Sequence, residues 1–416
     1  MNKKKNKWIN GLIPVLLMSF ATGSVYCWTL FVDRIENHSD VFTPTILAWC
    51  FSLALFCLGM SAAFGGKLVE RDIKKASWYT FLFFTLGWLL TGLAVQIESP
   101  LLAIIGFGPI QGVGLGLGYL APVKTLMMWF SEQKGLAAGI AIAAFGLSGV
   151  FGNPLIETFL QSGVTVYHAF YILTAIYGIS CFISYLLMDR PVLEEEKIEA
   201  KTYSFKEIVF NKKFTLLWLV LFINIACGLA IIGNERQIYL TAGIGNDTLI
   251  VIFTMINAFS NLIGRVICGW AQDRTDKKYL PYYVMTGVSL LVCLAAAIFL
   301  PFEAGVGTTT IAVLTVITTL SIQFFFGCGF ACLPNILEQE YGMKQLATIQ
   351  GYMLTAWAVA GLVGNQISNF IIDRSNPSSL NIMYGALAVL YLIQFIILFW
   401  WVKSRSKANQ LDVAKA

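Results

Sequence analysis

The chain has 416 residues, of which 57% are hydrophobic and only 12% are charged. This composition is far more apolar than that of an average soluble protein, so it excludes an arrangement of two or three soluble domains. The formal net charge is only +5. It arises from a few lysine- and arginine-rich connections, and it predicts no nucleic-acid partner.

Apolar runs of about 20 residues follow one another to the C-terminus, and each can cross a hydrocarbon core of about 30 Å. They lie at roughly 8–32, 43–68, 76–96, 100–129, 134–158, 167–188, 214–235, 248–271, 279–300, 308–333, 345–372 and 380–402. The first run has a basic head like that of a signal peptide. It continues past Trp28 without a small-x-small cleavage site, so we expect an uncleaved span. The sequence predicts an all-α integral membrane protein with twelve transmembrane helices.

Lysine and arginine are distributed unequally between the connections. If the N-terminus is internal, the outside connections hold only Arg34, Arg236 and Arg374. Two basic residues, Lys124 and Arg265, fall within spans. Because basic residues concentrate in cytoplasmic loops, we expect both termini in the cytoplasm and a multi-pass protein of the cytoplasmic membrane.

The sequence repeats itself. GKLVERDIKK (66–75) follows span 2, and GWAQDRTDKK (269–278) follows span 8. A charged segment separates the two halves, as in transporters built from repeats around a site near the bilayer midplane. The predicted organisation is an N-terminal six-helix bundle at 1–190, a cytoplasmic linker at 191–213, a C-terminal six-helix bundle at 214–405 and a cytoplasmic tail at 406–416.

Span 4 contains a glycine-rich stretch, GPIQGVGLGLGY (108–119). No strand precedes it and no suitably placed acidic residue follows it, so it does not fit a dinucleotide-binding fingerprint. On a helix, Gly112 and Gly116 form one small-xxx-small pair, and Gly114 and Gly118 form another. Such pairs let neighbouring helices approach closely in lipid. These glycines either allow fixed close packing of the helices or form smooth faces that let the helices move past each other.

The nine cysteines lie within the spans or at their ends, and no CxxC occurs. Both histidines fall in connections that we expect to be external. This pattern predicts no metal site, no disulfide framework and no cofactor. With neither histidine nor a central carboxylate in the spans, a membrane enzyme is disfavoured.

A buried cation is the sharpest functional clue in the sequence. Arg265 lies about 12 Å into the membrane from the loop after span 8, a depth at which an arginine usually faces a cavity. Asn257, Asn261 and Arg265 are spaced by four and form one polar stripe. The alternative is a structural pair with a carboxylate, but the nearest acids within spans, Glu157 and Glu235, lie near external ends. We favour a substrate carboxylate, which arginine can bind bidentately.

Lys124 in span 4 leaves two alternatives open. It contacts the substrate or takes part in coupling, or its long side chain snorkels to the cytoplasmic surface. Aromatic side chains are often packing residues, but those that share a helix face with polar side chains or with one another are also candidates for the wall of a substrate cavity. From the residues alone, these candidates are Tyr26 in span 1, Phe326 and Phe330 in span 10, and Trp357 in span 11.

The two repeated loops resemble the G-x-x-x-D-R-x-G-R/K-R/K signature of the major facilitator superfamily. The matching residues of the first loop are Gly66, Glu70 and Arg71, where Glu70 replaces the aspartate of the signature. Those of the second loop are Gly269, Asp273 and Arg274. The resemblance implies the twelve-helix fold of that superfamily and a role for these loops in conformational change.

A closer resemblance covers nearly the whole chain. GSVYCWTLF in span 1, GLGYLAP and WFSEQKGLAAGIAIAAFGLSG in spans 4–5, NLIGRVICGW in span 8 and GFACLP in span 10 resemble the oxalate:formate antiporter family, which is related more distantly to monocarboxylate transporters. The resemblance implies that Arg265 binds the substrate carboxylate. It also implies an aromatic wall around the anion, formed by Tyr26, Tyr119, Phe326 and Phe330.

Two positions depart from these families. Trp357 stands where the oxalate exchanger has a lysine for the second carboxylate, which puts oxalate itself in doubt. Asn261 stands where proton-linked monocarboxylate transporters have an aspartate, which puts an identical proton-coupling mechanism in doubt.

We therefore expect a monomeric secondary transporter, embedded in the lipid bilayer, that moves a small organic anion by alternating access. Formate, lactate and pyruvate are the favoured substrates, and oxalate remains a candidate. The protein either exchanges this anion for a counter-anion, as an antiporter, or moves it together with a proton, as a symporter. The alternatives are a nutrient sensor that binds without transport, and an exporter of drugs or other solutes. An exporter of cationic drugs is disfavoured, because a cationic drug would meet the positive charge of Arg265 and no central acidic residue.

Overall fold

The computed structural model describes residues 5–191, 203–299, 308–373, 376 and 378–413, and all regular structure in these ranges is helical. The helices of residues 5–191 are α1 (Ile13–Gly23), α2 (Thr29–Glu36), α3 (Pro44–Arg71), α4 (Ile73–Gln96), α5 (Pro100–Ile105), α6 (Gln111–Trp129), α7 (Lys134–Gln161) and α8 (Val166–Leu187). The later helices are α9 (Phe205–Val209), α10 (Lys212–Ile232), α11 (Glu235–Thr241), α12 (Asp247–Asp273), α13 (Leu280–Phe299), α14 (Thr308–Tyr341), α15 (Leu346–Ile371) and α16 (Ser379–Val413).

Twelve helical segments are long and apolar enough to cross a membrane, which confirms the predicted all-α membrane protein. They are Lys7–Trp28, Pro44–Arg71, Ile73–Gln96, Pro100–Trp129, Ser131–Gln161, Val166–Leu187, Lys212–Ile232, Thr248–Asp273, Leu280–Phe299, Thr309–Tyr341, Met343–Gly364 and Ser379–Ser404. Most of the predicted linker, residues 192–202, lies outside the described residues. The last helix, α16, continues into the predicted tail as far as Val413.

The starts of several spans follow from local sequence. Thr43 accepts a hydrogen bond from the backbone N–H of Ile46, and Pro44 follows at the first position of α3. Ser99 and Pro100 repeat this arrangement at the start of α5. A hydroxyl cap satisfies an otherwise unpaired N–H, and proline has none to satisfy, so each pair fixes where a helix begins.

The contacts group the chain into two compact units. Unit 1 comprises Met1–Ala200, Val266–Asp276 and Leu333–Ala358, and unit 2 comprises Lys201–Arg265, Lys277–Cys332 and Val359–Ala416. The ends of α12, α14 and α15 thus belong to unit 1 although they come from the second half of the sequence. The predicted bundle boundaries at 190 and 214 stay a prediction.

The glycines of α6 lie where neighbouring helices approach it closely. A Cβ on Gly112 would lie 2.5 Å from the Cβ of Cys57 in α3, and one on Gly114 would lie 2.6 Å from the backbone nitrogen of Phe84 in α4. On Gly116 and Gly118 it would meet Ser61 and Thr22. The stretch is therefore a packed helix and not a phosphate-binding loop.

Gly114→Ala is expected to lower the free energy of unfolding by about 1–3 kcal/mol, because the new methyl group meets backbone that cannot rotate away. Thermal unfolding of the detergent-solubilised protein measures the effect. Gly149→Ala in α7 is the matched control, since a Cβ there meets nothing within 4 Å. Equal stability of the two variants would contradict the close packing of α4 against α6.

Candidate functional site

Arg265 lies on the buried face of α12. The whole predicted stripe is buried, and the Arg265 side chain is only 6% exposed. The opposite face of α12 carries exposed apolar side chains, among them Met255 and Phe259, which suits contact with lipid. Because an α-helix has 3.6 residues per turn, the polar residues lie on one face of α12 and the exposed apolar residues lie on the opposite face.

Two glycines bring α14 against α12 beside this arginine. A Cβ on Gly264 would meet the backbone carbonyl of Phe324, and a Cβ on Gly327 would meet that of Asn261 and lie 3.2 Å from Cγ of Arg265. The close approach places the guanidinium 5.9 Å from the ring centre of Phe330, within the range of a cation–π contact. The aromatic ring of Phe330 thus helps to hold the guanidinium in place.

Amide groups extend the same surface. The Asn261 amide donates to Oε1 of Gln323 at 3.3 Å, and the Gln323 amide donates to the carbonyl of Gly228 at 3.3 Å. Asn224 donates to the carbonyl of Phe326 at 3.4 Å, and the rings of Phe326 and Phe330 are 5.3 Å apart. Unit 2 therefore brings four of the predicted site residues together: Arg265, Asn261, Phe326 and Phe330.

Unit 1 assembles the other predicted aromatic residues around a residue that the sequence analysis did not select. The ring of Phe145 in α7 lies 5.9 Å from that of Tyr26 and 5.6 Å from that of Tyr119. Trp357 lies 5.6 Å from Tyr119 and 6.4 Å from Phe145. Phe145 belongs to the quoted segment GLAAGIAIAAFGLSG, but a lone phenylalanine among alanines gave no periodic signal.

Lys124 is buried in unit 1, where its ammonium forms an ion pair with a carboxylate oxygen of Glu70. Its side chain is 4% exposed, and that of Glu70 is 12% exposed. The ammonium therefore does not reach the surface as the snorkelling alternative supposes. The ion pair with Glu70 was in neither alternative, and substrate contact by Lys124 stays a prediction.

The two signature loops cap helix N-termini in the same way. Oε1 of Glu70 accepts hydrogen bonds from the N–H groups of Ala347 and Thr348 at 2.6 and 3.3 Å, in the first turn of α15. Asp273 accepts from Gly135 and Leu136 at 2.8 and 2.7 Å, in the first turn of α7. A carboxylate at this position satisfies unpaired N–H groups and complements the helix dipole.

The two signature glycines support these caps, whereas the two signature arginines lie elsewhere. A Cβ on Gly66 would lie 2.5 Å from Cα of Thr348, and one on Gly269 would lie 2.8 Å from the carbonyl carbon of Gly135. Each glycine therefore lets its helix approach the helix that the loop caps. The guanidinium of Arg274 lies 3.7 Å from the ring centre of Trp270, whereas Arg71 is exposed.

A buried carboxylate adjoins the stripe of Arg265. Asn257 donates a hydrogen bond to Oε1 of Glu235 at 3.0 Å, and Glu235 is only 7% exposed. From the sequence, Glu235 was considered only as a partner for Arg265, and it was disfavoured because it lies near the external end of a predicted span. Within the described ranges, no group of three or more His, Cys, Asp or Glu residues is arranged to hold a metal ion.

Comparison with known proteins agrees with this architecture. The profile of the Major Facilitator Superfamily matches residues 6–365, so the chain belongs to this superfamily of membrane transporters. It is 24% identical to the oxalate:formate antiporter of Oxalobacter formigenes, over 86% of this chain and 83% of the relative. It is also 24% identical to monocarboxylate transporter 13 of Rattus norvegicus, over 79% of this chain and 73% of the relative.

A solved structure shows the same fold. The crystal structure of the E. coli fucose:proton symporter FucP matches with a TM-score of 0.69 at 15% identity, over 94% of this chain and 97% of the other. Together with the twelve spans, these matches establish a multi-pass membrane transporter and not an enzyme.

Proposed function

We propose that this protein moves a small monocarboxylate across the cytoplasmic membrane by alternating access, with Arg265 binding the carboxylate. The observation that carries the proposal is a buried arginine held beside an aromatic face and an amide on the polar stripe of a membrane-spanning helix. A planar guanidinium offers two parallel N–H donors that match a carboxylate. Away from water their attraction is several times stronger than at a surface.

The names of two relatives support this substrate class. One is an exchanger of oxalate and formate, and the other is a monocarboxylate transporter. Trp357 packs against Tyr119 and Phe145, so this position supplies an aromatic ring and not a second cation. One guanidinium with amide and aromatic neighbours suits formate, lactate or pyruvate better than a dianion. Oxalate is the weaker candidate.

Competition in proteoliposomes is expected to rank the substrates. Formate, lactate and pyruvate should each reduce the counterflow of a labelled monocarboxylate, oxalate should reduce it less, and organic cations and neutral sugars should not reduce it. Inhibition mainly by cations or sugars would favour an exporter of another solute. Saturable binding of the anion without counterflow would identify a sensor. Flux with the expected ranking separates the transporter from both alternatives.

A further inference from the structure

The carboxyl group of Glu235 is buried next to the helix that carries the anion site. Glu235 begins α11, after the span Lys212–Ile232 has ended. Its partner Asn257 lies two turns before Arg265 on the same face of α12. The salt bridges between described residues do not include Glu235. Hydrogen bonds are therefore the main interactions that offset the cost of burying its negative charge. A charge held in this way is costly unless the group takes up a proton.

The amide of Asn257 can pair with either protonation state of this carboxyl. As placed, its NH2 group donates to Glu235 and also to the hydroxyl of Tyr239 at 2.7 Å, and that hydroxyl lies 3.0 Å from Oγ1 of Thr319. The amide oxygen is buried, with no hydrogen-bond partner among the described residues. Rotation of the amide by half a turn would present this oxygen to a protonated Glu235, which then donates.

The surroundings favour the protonated state near neutral pH. Burial raises the pKa of Glu235 to about 8, although hydrogen bonds from Asn257 and Thr254 act in the opposite direction. Among the described residues, Arg236 lines the same pocket as Glu235, Tyr239 lies close to Glu235 on the same helix, and Tyr384 of α16 lies beside Tyr239. Asp373 follows Ile372, whose carbonyl accepts a hydrogen bond from Gln237.

Protons can reach the carboxyl through water. Glu235, Arg236 and Thr254 are among the residues that line a pocket of about 320 Å³. That volume has room for several water molecules. Water in this pocket would supply the hydrogen-bonded path that proton exchange with Glu235 requires.

We propose that Glu235 carries a proton that is transported together with the anion bound by Arg265. The inference rests on the proposed function. Eight residues of helix separate Asn257 from Arg265, which is about 12 Å. If the Glu235 carboxylate and the bound anion are about as far apart as these two residues, their repulsion weakens the affinity for the anion about tenfold at an effective dielectric constant of about 20. Protonation from the pocket water removes the repulsion, and release of the anion into a compartment whose pH is above 8 returns the proton to water.

The pH dependence follows from the direction of the shift. Below pH 8 the carboxyl is protonated and the anion binds in its high-affinity state. As the pH rises through 8 the carboxyl ionises, so affinity should fall by about tenfold and then level off. An anion that prefers the protonated state raises the pKa of Glu235 further. Binding near pH 8 should therefore take up a fraction of a proton per anion from solution.

Glu235→Gln tests the inference in proteoliposomes, because the amide mimics the neutral carboxyl. The variant should retain counterflow of a labelled monocarboxylate at equal pH on both sides. Its apparent affinity should no longer change between pH 7 and 9, and an inward proton gradient should no longer drive accumulation. Glu157→Gln is the matched control, because that carboxyl is 37% exposed and pairs with Arg34. The control should keep the wild-type pH profile.

The outcomes separate the two proposals. A wild-type protein that exchanges no monocarboxylate would overturn the proposed function itself. A wild-type protein that exchanges the anion, together with a Glu235→Gln variant that keeps the full pH response, would overturn only the role of Glu235. Proton uptake by the solubilised wild-type protein on addition of formate, followed with a pH indicator at pH 8, decides the matter if the variant does not fold. Its absence contradicts the inference.

Discussion

Arg265→Gln is expected to weaken monocarboxylate binding at least thirtyfold and to abolish measurable counterflow, while the protein still inserts and folds. Removing one partner of a buried, hydrogen-bonded charge pair costs about 2–5 kcal/mol, which corresponds to that loss or more. In this variant the anion would have to leave water and bind beside Phe330 and Asn261 without a counter-charge.

Arg265→Lys should lie between this variant and the wild type. The ammonium keeps the charge but loses the planar pair of donors and the broad contact with Phe330. Both variants are compared with Arg34→Gln, the same change at an arginine whose partner Glu157 is partly exposed. Counterflow is measured alongside thermal unfolding, so that lost transport can be distinguished from lost structure. Near-normal counterflow by a well-folded Arg265→Gln protein would remove the central claim.

The fold was predictable because lipid imposes a simple rule on sequence. A backbone that crosses a hydrocarbon core must satisfy its hydrogen bonds within one helix, so each span needs about 20 apolar residues in a row. The repeated signature loops were visible for a related reason. Each places a glycine at a close helix approach and a carboxylate at a helix N-terminus, and both demands restrict residue type. The burial of Arg265 was predictable because Asn257, Asn261 and Arg265 are four residues apart and so lie on one face of a helix.

The partners of buried groups could not be read in the same way. Lys124 and Glu70 lie on different helices, and no periodicity in either span encodes their meeting. Phe145, Tyr26, Tyr119 and Trp357 lie on four different helical segments, and they meet only because these segments converge. Glu235 lies near the external end of a predicted span, and no pattern in the sequence marks it as buried. Its burial depends on how α11 packs after α10, which is a tertiary property.

The ion pair in unit 1 gives the second large expected effect. Lys124→Gln should lower the free energy of unfolding by about 3–5 kcal/mol, because it leaves the Glu70 carboxylate buried without its counter-charge. Lys134→Gln is the matched control. Lys134 pairs with Glu338 at 2.8 Å, but the two side chains are 28% and 19% exposed, so water replaces the lost partner and the cost should be about 0–1 kcal/mol. Thermal unfolding of the solubilised variants measures both.

The double variant Lys124→Gln with Glu70→Gln separates the ion pair from a contact with substrate. It removes both buried charges, and the glutamine oxygen at position 70 can still accept from Ala347, so most of the stability should return. If Lys124 serves only the ion pair, the double variant should also recover monocarboxylate counterflow. If Lys124 binds the anion, stability should return while the affinity for monocarboxylate stays low. Full stability of Lys124→Gln alone would contradict the buried ion pair.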